Sequence, residues 1–164
     1  MIELLAHLRD RGFTTYIVSG GEVEFMRAFA EPVYGIPPSQ VIGTTLVTTF
    51  TVRNGTPEMV RQPEILAVDD GPGKPEAIAR IVAQRPIFAF GNSDGDLEML
   101  QWTAGGDGPR LAALVHHTDA DREWAYDRES HVGRLGKALD AAAAGDWTVV
   151  DTREAWSRVF AFQK

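Results

Sequence analysis

Cysteine is absent from the 164 residues, which excludes disulfides, thiolate metal sites and cysteine nucleophiles. Long apolar runs are absent too: none approaches the ~20 residues that a membrane-spanning helix needs. A basic excess is missing, since 16 Lys and Arg stand against 23 Asp and Glu, for a net charge of −7. Nucleic-acid binders normally present a basic face, so that class is disfavoured. What is there, 44% hydrophobic and 24% charged residues, suits a soluble globular protein with acids able to hold a hard cation. The opening MIELLAHLRDRG does not read as a signal peptide, because charges interrupt its apolar positions. As it stands the chain therefore reads as cytoplasmic. Its length fits a single domain over residues 1–164.

Helical and strand patterns alternate along the chain. Ile2, Leu5 and Leu8 recur at helical spacing, with Gly12 as a stop. Thr14 to Val18 (TTYIV) is β-branched and aromatic and predicts a buried strand, broken by Gly20 and Gly21. Glu22 to Val33 predicts a helix. Val41 to Val68 predicts two or three short strands, with Asn54-Gly55 as a hairpin turn. A helix should start near Lys74, with Pro75 in its first turn. Ile87 to Gly91 (IFAFG) and Leu111 to His116 (LAALVH) predict buried strands, with a helix over Asp94 to Trp102 between them. Gly133 to Ala144 predicts a helix, Trp147 to Val150 a strand, and Thr152 to Phe160 a last helix. This alternation implies an α/β fold, a Rossmann-like parallel sheet flanked by helices.

Ligands of open α/β sheets gather outside the carboxyl ends of the strands. Three polar clusters fall there. TTYIV runs into Ser19-Gly20-Gly21, a hydroxyl and free amides suited to an anion. Alone, this is more simply a capped strand-to-helix turn. Asp70-Gly71-Pro72-Gly73-Lys74-Pro75 sets a lysine after a glycine-rich turn, where its compact charge can meet a phosphate. It lacks the spacing of a Walker loop, and an isolated lysine there is more simply a solvated helix start. IFAFG runs into Asn92-Ser93-Asp94-Gly95-Asp96. Crowded acids suit Mg²⁺, held by Asn92, Asp94 and Asp96, or equally a helix N-terminus that favours acids.

The order of the three clusters resembles the haloacid dehalogenase superfamily, in its phosphoserine-phosphatase-like branch. YIVSGG is similar to the second family motif, GKPEAI to the third and FGNSDGDLEML to the fourth. The similarity from ELLAHLRDRGF to FGNSDGD covers over half the chain. The stretch VHHTDADREWAYDRESHVGRL resembles secreted or periplasmic bacterial members. The resemblance implies Mg²⁺-dependent hydrolysis of a small phosphomonoester through an aspartyl-phosphate. It implies that Ser19, Gly20, Gly21 and Lys74 bind the phosphoryl group, with Ser19 and Lys74 as its catalytic stabilisers. It also implies that these residues converge with the Asn92–Asp96 turn.

Two departures stand out. Asn92 replaces the first acid of the fourth motif, removing a charge from the metal site. The first motif, Asp-x-Asp-x-Thr on a strand, is not found; the family places it before ELLAHLRDRGF, on the central strand, with the specificity cap. It carries the nucleophilic aspartate, so the chain alone is expected to be inactive. Without that strand, TTYIV and IFAFG have unpaired edges that invite self-association. Asp69 and Asp70 read as loop acids near a helix start. His116, His117, His131, Trp124 and Tyr126 read as rim or packing residues, with a His/Asp metal site as the lesser reading. A pseudoenzyme or half-enzyme completed by another chain, and an unrelated receiver-like module, stand as alternatives.

Overall fold

The computed structural model describes residues 1–160, 162 and 163. The chain divides into two compact units, Met1–Ile81 and Val82–Lys164. The fold is α/β, built from one three-stranded sheet in each unit.

In the first unit the Ile2, Leu5, Leu8 pattern becomes helix α1 (Ile2–Asp10). Strand β1 (Ile17–Glu22) starts later than its apolar run, because its first partner, Val41, faces Ile17. It also runs through the two glycines, which the sequence reading treats as a break. The register slips between Ser19 and Glu22, so the glycines form an irregularity inside the strand. Glu22 then caps helix α2 (Val23–Tyr34), its carboxylate accepting from the Phe25 amide. The expected short strands are two long ones, β2 (Val41–Arg53) and β3 (Thr56–Ala67). Asn54 and Gly55 turn between them with φ of 51° and 80°, the left-handed pair of a two-residue hairpin. Helix α3 (Gly73–Ile81) follows. The sheet order is β1-β2-β3, with β1 parallel and β3 antiparallel to β2, so this sheet is mixed. Val23, Met26, Ala30, Ile36 and Val41 form its core, with Leu5 and Ile17 packed against it.

The second unit holds strand β4 (Phe88–Gly91), a 3₁₀ turn at Asp94–Asp96, helix α4 (Leu97–Ala104) and strand β5 (Leu111–His116). Helix α5 (Lys137–Gly145), strand β6 (Thr148–Asp151) and helix α6 (Thr152–Ala155) complete it. Its sheet is parallel throughout, in order β4-β5-β6. Leu100, Leu114, Leu135, Ala138 and Ala142 are buried. Two helices are shorter than their patterns predict. α5 starts at Lys137 because Gly133 is left-handed, at φ 66°, and interrupts any helix begun there. α6 stops at Ala155, where the Arg122 guanidinium takes the carbonyls of Thr152, Arg153 and Trp156. Among the described residues no helix is long and apolar enough to cross a membrane.

Candidate functional site

Ser19 and Lys74 meet in the first unit. The Lys74 ammonium donates to the Val18 carbonyl at 3.1 Å, within β1, just before its irregularity and one residue before Ser19. Lys74 is buried, so an aliphatic stem packed by the protein carries its charge to β1. The Ser19 hydroxyl accepts from the Gly21 amide at 3.1 Å, and its own O–H stays able to donate. Thr44, on β2, ties the cluster together. Its hydroxyl donates to the Gly20 carbonyl at 2.7 Å and accepts from the Asp69 amide at 3.1 Å. Ser19, Gly20, Gly21 and Lys74 are thus in one neighbourhood.

Asp69 belongs to the same neighbourhood. A solvated loop acid describes Asp70, which is exposed, but not Asp69, which is 2% exposed. Neither Asp69 carboxylate oxygen has a hydrogen-bond partner of good geometry. Burial pushes its pKa up to about 6. Lys74, the Ser19 amide and Arg80 pull the other way, and Asp70 adds to the rise. Thr44 and Asp69 carry no motif of their own. The only sequence signal is an acid two residues beyond a strand end, which loop acids share.

In the second unit, β4 delivers Gly91 to the acidic turn. A Cβ on Gly91 would lie 2.5 Å from the Asp96 Cβ and 2.9 Å from its Cγ, so only glycine lets Asp96 fold back over the strand end. There Asp96 Oδ2 accepts from the Asn92 amide at 2.8 Å, the Ser93 amide at 3.1 Å and the Ser93 hydroxyl at 3.2 Å. Asp94 turns elsewhere. Its Oδ1 accepts from the Gly136 and Ala138 amides, both at 2.9 Å, and so caps α5 from a distant loop. Burial pushes the Asp94 pKa up, but the amides of Ala138, Gly136 and Lys137 and the charge of Arg134 leave it below the usual carboxylate range. The Asn92 side-chain amide donates to the Tyr126 hydroxyl at 2.5 Å. Burial raises the Tyr126 pKa, while Asn92 opposes the rise and Asp96 and Glu123 add to it.

Tyr126 in turn stacks on His117, with ring centroids 4.8 Å apart. His117 Nδ1 lies 2.7 Å from a Glu123 carboxylate oxygen. His116 stands 3.7 Å from Asp127. Asp119 pairs with Arg122, and Asp121 with Arg153. These acids already have cationic partners, which leaves the His116-His117 pair without the ligand set of a His/Asp metal site. Trp124 and His131 line a shallow hollow with Tyr126.

The residues of the acidic turn do not by themselves fit Mg²⁺. An oxygen of each carboxylate serves backbone amides, and Asn92 offers only a neutral amide oxygen. Among the described residues no three His, Asp or Glu side chains gather as a cation site. No family model and no curated protein matches the chain.

Proposed function

We propose that the chain is the core of a haloacid-dehalogenase-type phosphohydrolase, of the phosphoserine-phosphatase-like branch. The observation that carries this reading is the junction of Lys74 with β1 at Val18, beside the irregularity in that strand. A lysine 56 residues along the chain from Val18 arrives beside a serine and two glycines. A hydroxyl, a backbone irregularity and a compact cation side by side on one strand are the parts of a phosphate site. The Ser19 O–H would donate to a phosphoryl oxygen, and the Lys74 charge would balance the anion. Phosphoryl transfer is accelerated largely by such placement of charge.

Ser19 acts here as a donor and not as a nucleophile. Its oxygen already accepts an amide proton, which holds electron density away from an attack. The nucleophilic aspartate and the main ligands of Mg²⁺ belong, in the family, to the first motif, which residues 1–164 do not contain. A small phosphomonoester is the substrate class of the complete enzyme. The purified chain, given a generic aryl phosphate and Mg²⁺, should release no phenol above background. Clear turnover that disappears in Ser19→Ala or Asp96→Asn would refute this division of roles.

One observation favours a second reading, a half-enzyme completed by another chain. Among the described residues β1 has ladder partners only on β2, and β4 only on β5. Each is therefore an edge strand, able to accept a further strand. Mass in solution separates the two: a monomer under all conditions speaks against completion by a second copy.

A further inference from the structure

The anion site has a buried charge beneath it that phosphate binding alone does not explain. Asp69 lies within the Ser19–Thr44–Lys74 neighbourhood, with its amide tied to Thr44 and its carboxyl out of contact with solvent. Neither carboxyl oxygen has a hydrogen-bond partner of good geometry. Buried polar atoms in that condition are rare in native folds and ask for a reason. The charged groups facing the carboxyl are Lys74 and Arg80, from α3, and its neighbour Asp70, together with the Ser19 amide of β1. Lys74 therefore acts on the buried acid and also reaches β1 beside Ser19, where an anion would sit.

We infer that Asp69 is the proton-holding counter-ion of Lys74, so that a tetrahedral dianion binding at Ser19 and Lys74 draws a proton onto the Asp69 carboxyl. The inference rests on the anion-site reading of the preceding section. Before binding, the carboxylate and the ammonium offset each other. A dianion then competes for the ammonium and brings two negative charges near a carboxylate that has no well-formed hydrogen bond to support its charge. Like charges at short range in a poorly hydrated site repel strongly. Uptake of one proton from solvent, converting the carboxylate to the neutral acid, removes that repulsion without making or breaking any bond in the anion. Burial has already brought the carboxyl to about 6, so the uptake is accessible near neutrality. Asp69 is inaccessible and acts through Lys74, as a positioning residue.

Sulfate is the probe, because it keeps two charges over the whole range of about pH 5 to 8, whereas phosphate itself titrates there. Its dissociation constant is measured by calorimetry at constant ionic strength for the wild-type chain, Asp69→Asn and Lys74→Met. Wild type should weaken by up to about tenfold for each pH unit above about 6. Asp69→Asn, neutral throughout, should give a flat profile and the tighter binding at the alkaline end. In wild type the carboxyl resonance of Asp69, followed by NMR, should titrate at higher pH in saturating sulfate. A flat wild-type profile, or an Asp69→Asn profile that parallels wild type, overturns the role of Asp69 while leaving the anion site standing. Sulfate that binds neither wild type nor Asp69→Asn, or binds Lys74→Met as well as wild type, overturns the anion site and this inference with it.

Discussion

Replacing Asp69 by asparagine should stabilise the protein at neutral and alkaline pH and leave it unchanged in acid. Asparagine has nearly the shape of the protonated acid, so the substitution removes the charge and little else. The sign follows from the raised pKa. In the unfolded chain the carboxyl ionises around its ordinary 3.8; in the folded chain it does so only at about 6. Folding is therefore opposed by the ionised form. The wild-type protein loses stability as pH rises from about 3.8 to about 6 and loses no more beyond it. At about 1.4 kcal/mol for each pH unit, the gap converts to about 3 kcal/mol. Urea unfolding of both proteins at a series of pH values, followed by circular dichroism, measures it. The curves should meet near pH 4 and separate to about 3 kcal/mol by pH 7, with the variant above. Parallel curves would refute the reasoning, because they would mean that Asp69 ionises in the folded protein as readily as in the unfolded one. A variant less stable at every pH would mean that the carboxylate holds a partner whose bond asparagine cannot replace.

Gly91→Ala should cost about 1–3 kcal/mol, because its Cβ must displace the Asp96 side chain from the strand end; urea midpoints measure the loss. Asp94→Ala should cost about 1–2 kcal/mol by uncapping α5, and Asp94→Asn less, since an amide oxygen can still accept. The stabilisation from Asp94 is present above the ordinary carboxylate range and is lost as pH falls through its depressed pKa. The difference between wild type and Asp94→Ala should therefore shrink in acid, as read by amide hydrogen exchange in α5.

Much of the local structure is legible in the sequence. LAALVH is β5 to the residue, since an unbroken apolar run bounded by polar turns has few other ways to bury itself. Asn54-Gly55 fixes the hairpin because few other residue pairs adopt two successive left-handed conformations without strain. The helix starting at Gly73-Lys74-Pro75 follows from proline in a first turn. The strand through Ser19-Gly20-Gly21 is not legible, because glycine favours a break by local preference and only the pairing of Ser19 and Glu22 with β2, on either side of the glycines, carries the strand past them. The end of α6 is set by the Arg122 guanidinium, 30 or more residues away in sequence.

The candidate site divides in the same way. Residue type and spacing alone determine that a serine with two glycines follows an apolar run, that a lysine stands at a helix start and that an acidic turn follows a strand, because strand and turn chemistry are local. Tertiary structure decides what each polar atom does there. It turns Asp94 to cap a helix more than 40 residues away and folds Asp96 back over Gly91. It brings Lys74 to Val18 on β1 and buries Asp69 while Asp70 stays in water. Two adjacent aspartates are chemically identical in the unfolded chain. Only the packing of β1, β2 and α3 around one of them separates their solvation, and with it the charge that the site can carry.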